Sequence, residues 1–149
     1  MVDTNALGVT GSVFEMDIER GKVREFARAT FSVNPSYLEG PNPISEPTFL
    51  TTAMFWHDQS SDPWPAVAMD QRRGLHAEQE FVFFGPPPRA GTRLSGQARI
   101  EQIYEKQGRR GGLMTFVVMV TDFHDEHGQL VARATLTGVE TERPPDGGP

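Results

Sequence analysis

Histidine side chains are the first groups to examine for acid–base chemistry, because imidazole titrates near neutral pH. His76 stands at the start of an aromatic, β-rich run and is followed by Glu78 and Glu80. It is a candidate acid or base, although a histidine at the end of a strand more often bonds a backbone carbonyl. His57 falls among apolar residues at helical spacing, which favours a packed position at the edge of the core.

Two further histidines, His124 and His127, lie beside the acidic residues Asp122, Asp125 and Glu126. Such a grouping has the composition of a metal site, but acidic turns between strands are common and the string DEHG is typical of such a turn. We therefore interpret both histidines as solvated and predict no metal site. The sequence also predicts no bound cofactor.

Arginines concentrate in the middle of the chain, where they could bind an anion. Residues 71–110 hold eight basic and four acidic side chains, whereas the rest of the chain holds six basic and sixteen acidic ones. Guanidinium groups match phosphate oxygens in pairs, and glycine lets a backbone approach closely. The run GRRGG at 108–112, together with Arg89, therefore predicts a phosphate site that includes Arg109 and Arg110. A glycine turn with solvated arginines is the equally weighted alternative.

Composition limits the classes of protein that fit. The chain has 149 residues, 37% of them hydrophobic, a formal net charge of −6 and no cysteine. This length suits one domain, and the lack of cysteine excludes disulfides and thiolate chemistry. No apolar run is long enough to span a membrane, and the first residues do not resemble a signal peptide. We expect a cytoplasmic protein that binds neither nucleic acid nor membrane.

The elements that must position these residues begin with a strand and two helices. Residues 13–18 can form a short strand, and apolar residues at i, i+3, i+4 and i+7 predict an amphipathic helix over 19–31. The loop that follows contains four prolines. The last of them, Pro47, opens a second helix, for which Ser45 or Glu46 is the candidate N-cap. Nearly all of that helix is apolar, which predicts burial.

The second half of the chain has the pattern of antiparallel strands. Four runs rich in β-branched and aromatic residues are separated by turns that contain glycine or proline. They cover residues 78–84, 92–107, 113–123 and 130–137. The apolar phase shifts at Ile103, which predicts a β-bulge near Glu101 and Gln102. We predict an α+β fold, with an antiparallel sheet of about five strands wrapped around a buried central helix.

Several short strings, in their order and spacing, resemble the MaoC-like dehydratase family, and within it the N-terminal-type or fungal fatty-acid-synthase-type dehydratase domain. They are VREFA at 23–27, NP at 34–35, PTF at 47–49, LHAEQEF at 75–81, PRAGT at 88–92 and GRRGG at 108–112. The resemblance implies a single hot-dog fold over residues 12–142. We expect a flexible N-terminus at 1–11 and a disordered tail at 143–149.

The resemblance also implies chemistry on acyl thioesters. Members of the family hydrate enoyl thioesters or dehydrate (R)-3-hydroxyacyl thioesters, carried on coenzyme A or on acyl carrier protein. Active members have an Asp and a His around an Asn-Pro pair, which serve as general base and general acid. In this chain, alignment on Asn34 and Pro35 places Ser32 and Tyr37 at those two positions. By motif, therefore, the chain has no catalytic pair.

Three functional hypotheses follow from this departure. The first is a catalytically degenerate half of a hydratase, which supplies part of the acyl-CoA tunnel and pairs with an active MaoC-like subunit. The second is a homodimeric hot-dog hydratase that uses His76. The third is a non-enzymatic acyl-CoA-binding hot dog. A homodimer or heterodimer is expected in each case, because hot-dog units pair their sheets edge to edge.

The residues expected to contact the thioester follow from the same resemblance. The backbone N–H groups at the start of the buried helix polarise the thioester carbonyl in the family. We expect the basic run at 108–112 to bind the nucleotide phosphates of coenzyme A. The predicted substrate-binding residues are Pro47, Thr48, Phe49, His76, Arg89, Arg109 and Arg110.

Overall fold

A five-stranded antiparallel sheet organises the chain. The computed structural model describes residues 1–108 and 112–142. The strands are β1 (Phe14–Asp17), β2 (Gly74–Phe83), β3 (Arg93–Gln107), β4 (Leu113–His124) and β5 (Leu130–Thr141), and they lie in the order β1-β3-β4-β5-β2. This arrangement confirms the predicted α+β class and the number of strands.

The three strands β3, β4 and β5 pair in chain order. The register of β3 on β4 shifts between Ile100 and Gln102, which confirms the predicted β-bulge. The turn between β4 and β5 is closed by the Asp125 carboxylate, which accepts hydrogen bonds from the backbone N–H groups of His127 and Gln129, both at 2.9 Å. The acidic string after β4 is therefore a turn, as predicted.

The helices are short. They are α1 (Arg20–Ala29), α2 (Pro35–Leu38) and three 3₁₀ helices, Thr4–Ala6, Phe49–Phe55 and Trp64–Val67. We call Phe49–Phe55 the central helix and Trp64–Val67 the short helix. In the part of the chain that the structure describes, no helix has the length and apolar character needed to cross a membrane.

The central helix has a different N-cap from the one predicted. Thr48 occupies the cap position, so the prediction of Ser45 or Glu46 is wrong. Glu46 is buried, and its Oε2 accepts a hydrogen bond of 2.8 Å from the hydroxyl of Thr30. This carboxylate therefore ties the end of α1 to the loop before the central helix, rather than capping the helix.

Burial of the central helix follows its three-residue turn. Phe49 and Leu50 are 0% and 2% exposed, and Thr52 and Ala53 lie three residues after them on the same buried side. The last turn reaches solvent, since Phe55 is 71% exposed. Thr51 and Met54 are exposed as well, so only part of this helix is buried.

Helix α1 ends two residues earlier than predicted. The backbone N–H of Ser32 donates to the carbonyl of Ala27 at 2.8 Å, and that of Phe31 donates to the carbonyl of Arg28 at 3.1 Å. This pair of hydrogen bonds closes a helix through a residue in the left-handed region of backbone conformation. Phe31 occupies that position with φ of 58° and is 91% exposed.

Residues 1–11 contact the rest of the fold. Val2 and Ala6 are buried, and Thr10 forms an isolated β-bridge with Arg99. The N–H of Gly11 donates to the carbonyl of Ala98 at 2.9 Å. The small polar composition of this segment led to the expectation of flexibility, and it gives no indication of these contacts.

The apolar interior forms two clusters against the sheet. Cluster one surrounds the central helix and contains Phe14, Met16, Ile18, Val23, Phe49, Leu50, Ala53, Leu94, Phe123 and Ala132. Cluster two surrounds the short helix and contains Val2, Ala6, Val67, Ile100 and Val117. Each fully buried Phe, Leu or Ile contributes about 1.5–3 kcal/mol of transfer free energy. Cluster one therefore supplies the larger share of the apolar stabilisation.

Candidate functional site

A cleft of about 470 Å³ separates the two clusters. Its floor is the sheet, and its walls are the central helix on one side and the short helix with the following loop on the other. The floor side chains come from β2, β4 and β5, and most are apolar. They are Gln79, Phe81, Met119, Thr121, Phe123, Ala134, Leu136 and Gly138. A site of this size and character suits an apolar ligand.

Cross-strand pairing places these floor residues side by side. One row is Thr121, Ala134 and Phe81, and the next is Met119, Leu136 and Gln79. Side chains at alternate positions of a strand share one face of the sheet, so both rows face the cleft. The antiparallel register is therefore the local cause of the apolar floor.

The first wall consists of the central helix and the residue that follows its end. Leu50, Ala53 and Met54 line the cleft from the helix, and His57 lines it just beyond. The imidazole of His57 packs on Phe14 of cluster one, with the ring centroids 4.2 Å apart. This wall is thus an outer surface of cluster one.

The second wall is built around Trp64. A Cβ atom on Gly138 would lie 2.6 Å from Cη2 and 2.8 Å from Cζ2 of the indole. The ring can approach the strand backbone this closely because Gly138 has no side chain. The backbone N–H of Trp64 donates to Oδ1 of Asp62 at 2.9 Å, at the start of the short helix.

Charged groups hold the loop that follows the short helix. Glu140 on β5 is 4% exposed, and its Oε1 lies 2.7 Å from Nη2 of Arg73. Its Oε2 accepts a hydrogen bond of 2.9 Å from the N–H of Asp70. The Arg72 side chain, which bonds Asp70, holds the pKa of that aspartate well below its usual range. Asp70 is therefore ionised at neutral pH, and the loop is fixed beside the cleft.

His57 is the acid–base group in the first wall of the cleft. Its Nε2 is buried and has no hydrogen-bond partner within the described residues. Burial lowers the pKa of His57, and the nearby carboxylates of Asp62 and Asp58 offset only part of this effect. The imidazole is therefore neutral at neutral pH.

His76 lies at the mouth of the cleft. It is an exposed residue on β2 and lines the cleft together with Leu75 and Gln79. The register of β2 on β5 shifts between His76 and Glu78, and such bulges redirect the side chains beside them. The Gln79 amide donates to the Thr135 carbonyl at 3.1 Å, which fixes its orientation.

The two residues at the positions of the family's catalytic pair lie outside this cleft lining. Ser32 follows the end of α1, and its Oγ accepts a hydrogen bond of 3.3 Å from the N–H of Asn34. Tyr37 is in α2 and is partly buried. Neither side chain supplies the carboxylate or the imidazole that serves as base and acid in the family.

The predicted binding residues Pro47, Thr48, Phe49 and Arg89 do not line the cleft. Phe49 is fully buried in cluster one, whereas Pro47 and Thr48 are exposed. Arg89 donates from Nη1 to the carbonyl of Asn42 at 3.2 Å, in a loop that does not line the cleft. These contact roles stay predictions.

The phosphate site lies beyond what the structure describes. Arg109 and Arg110 are outside residues 1–108 and 112–142, as is the tail at 143–149. Across the described ranges, no group of three or more His, Cys, Asp or Glu side chains is placed to hold a metal ion.

Sequence reasoning missed the cleft residues Asp62 and Trp64. The string PWP at 63–65 is typical of a loop, and nothing in it indicates that its tryptophan contacts a glycine on β5. His57 was interpreted as a packed residue at the edge of the core, and the structure places it at both the core and the cleft.

The sheet and the partly buried central helix define a hot-dog protein. The chain belongs to the family described as the FAS1-like dehydratase domain region, which it matches over residues 5–134. A UPF0336 protein of Streptomyces coelicolor is 30% identical over 126 residues, which cover 79% of this chain and 80% of that protein.

Solved structures share the fold. The HadBC complex of Mycobacterium tuberculosis, described as a 3R-hydroxyacyl-ACP dehydratase, superposes with a TM-score of 0.68 at 22% identity. The match covers 91% of this chain and 98% of that one. A MaoC-like dehydratase from Rhodospirillum rubrum gives a TM-score of 0.61 at 18% identity, over 94% of this chain and 95% of that one. These likenesses confirm the predicted hot-dog fold.

Proposed function

We propose that this chain is the substrate-holding half of an (R)-specific enoyl-thioester hydratase or 3-hydroxyacyl-thioester dehydratase. In this proposal a MaoC-like catalytic subunit supplies the Asp and His that this chain lacks. The observation that carries the proposal is an apolar cleft on the face of a hot-dog sheet, in a chain with Ser32 and Tyr37 at the motif positions.

The chemistry requires more than this chain offers at its motif. Hydration of an enoyl thioester needs one group to activate water and one to protonate the α-carbon. Ser32 and Tyr37 provide neither the carboxylate nor the imidazole that this pair of proton transfers uses in the family. The apolar floor of the cleft, by contrast, matches the hydrocarbon part of an acyl thioester. The chain therefore contributes binding, and its partner contributes proton transfer.

The edge strand β2 supports the pairing. It is ten residues long, stands last in the strand order and lines the mouth of the cleft with Leu75 and His76. Leu75 and Val82 are exposed apolar side chains on the same strand. A long edge strand pairs readily with another strand. A subunit bound here would face the cleft mouth, where the thioester must meet the catalytic pair.

A reconstitution assay tests the proposal. The partner in the assay is a MaoC-like chain that has the Asp and His of the family. Hydration of crotonyl-CoA and of bulkier enoyl-CoA esters is measured with this chain alone, with the MaoC-like chain alone, and with both co-expressed. We expect turnover of bulky substrates only with the pair. Equal activity of the MaoC-like chain with and without this chain, on every substrate, would contradict the proposal.

A homodimeric hydratase that uses His76 is the second candidate, because His76 lines the cleft and is accessible. This candidate predicts activity of the chain alone, with loss of that activity in His76→Ala. A non-enzymatic acyl-CoA-binding protein would instead bind the ester and show no turnover in any combination.

A further inference from the structure

The contact between Trp64 and Gly138 forms one side of the cleft, with the Met69 side chain beside it. The indole edge lies against the β5 backbone, because an added Cβ at Gly138 would be 2.6 Å from Cη2. Trp64 also lines the cleft itself. The ring therefore fills the space between the cleft and the bare backbone of the sheet.

The segment that carries Trp64 is fixed on both sides. Before Trp64, the carbonyl of Ser60 accepts a hydrogen bond of 2.9 Å from the N–H of Ser12. After it, Val67 at the end of the short helix is fully buried in cluster two, and its carbonyl accepts a hydrogen bond of 2.8 Å from the N–H of Asp3. These contacts fix the backbone that carries the indole, so the position of this wall is set by the fold.

We propose that Trp64 sets the upper size of the acyl group that the cleft accepts. The inference rests on the proposed function, since it takes the cleft ligand to be the acyl part of a thioester. Loss of the indole opens the cleft toward Gly138, which has no side chain of its own to fill the space. A smaller residue at position 64 therefore admits longer or bulkier acyl groups.

The experiment measures dissociation constants of saturated straight-chain acyl-CoA esters of increasing length, by calorimetry, with the full chain and with its co-purified complex. In the wild type, each added methylene strengthens binding by about fourfold until the wall is reached. Longer chains then bind no more tightly, or more weakly. For Trp64→Ala the limit moves to longer chains, and Trp64→Phe moves it less.

A matched truncation separates the wall from general loss of packing. Trp56 packs against cluster one but is absent from the cleft lining. Trp56→Ala should lower the thermal midpoint and leave the length limit unchanged. Trp64→Phe keeps the test valid if Trp64→Ala does not fold.

The outcomes distinguish the inference from the proposed function. A length limit that is the same in the wild type and in both folded Trp64 variants overturns the role of Trp64 and leaves the acyl cleft in place. If no acyl-CoA ester binds to the chain or to its complex, the acyl cleft fails, and the role of Trp64 fails with it. A shift of the limit in Trp56→Ala equal to that in Trp64→Ala also overturns the inference.

Discussion

Cluster one and cluster two hold the two walls of the cleft by different means. Cluster one is a continuous apolar interior in which Phe26 and Phe49 meet edge to face with centroids 5.5 Å apart. Cluster two is made of smaller side chains, and its wall depends on one tryptophan against one glycine and on the ion pair between Arg73 and Glu140. One wall is therefore maintained by packing, and the other by a few specific contacts. A fold of this kind can change its cleft on the second side without rebuilding its core.

The largest expected effect tests whether cluster one carries the stability. Phe49→Ala removes a fully buried ring and should lower the free energy of unfolding by about 3–5 kcal/mol. Urea denaturation followed by circular dichroism measures this change. Phe55→Ala is the matched control, because Phe55 is 71% exposed in the same helix, and its effect should stay within about 0.5 kcal/mol. Similar losses in the two variants would contradict the assignment of cluster one.

The next prediction concerns the ion pair between Glu140 and Arg73 beside the second wall. Glu140→Gln leaves the guanidinium of Arg73 without its buried anionic partner and should cost about 2–3 kcal/mol. Hydrogen exchange should accelerate over residues 64–73 and change little in α1. Asp17→Asn, which breaks the exposed pair with Arg93, should cost less than about 1 kcal/mol. Unchanged exchange over residues 64–73 would show that Glu140 does not hold this wall.

A smaller effect should arise from the glycine on β5. Gly138→Ala places a methyl group against the Trp64 indole and should destabilise the chain by about 1–3 kcal/mol. In a Trp64→Ala background the same change should cost almost nothing, because the ring is gone. A double-mutant cycle of thermal or urea midpoints measures the coupling. Additive effects would mean that the indole does not rest on Gly138.

The smallest expected effect is the pH dependence contributed by His57. Burial lowers its pKa in the folded chain, with Asp62 and Asp58 opposing this shift. Below the ordinary histidine pKa of about 6.5, the unfolded chain binds a proton that the folded chain does not. The free energy of unfolding from this group therefore falls as the pH drops through that value. Thermal midpoints at pH 8 and pH 5.5 should differ less in His57→Gln than in the wild type. An equal difference would show that His57 is not the titrating group.

Local patterns were sufficient to predict most of the sheet. The phase change at Ile103 predicted the bulge, and the string after β4 predicted the turn that Asp125 closes. The type and length of the central helix could not be predicted from such patterns. It is a 3₁₀ helix capped at Thr48, and Glu46 just before it is buried and bonds the end of α1 instead of capping the helix. Contacts between distant segments of this kind leave no periodic signal.

The site was predicted only in part for the same reason. His76 was identified from its position at the start of a strand, and it does line the cleft. The wall at Trp64 depends on Gly138 and Glu140, which lie more than seventy residues further along the chain. The strand register brings these residues together, and a single sequence shows neither that register nor what covers the sheet.

The length of the edge strand β2 has a consequence for the protein inside a cell. Its ten residues end the sheet on one side, whereas β1 ends it on the other with four. An edge of this length, with Leu75 and Val82 exposed, can pair with a strand of a neighbouring chain. If the proposed catalytic subunit binds at β2, its supply in the cell would set how much of this edge is left open to self-association.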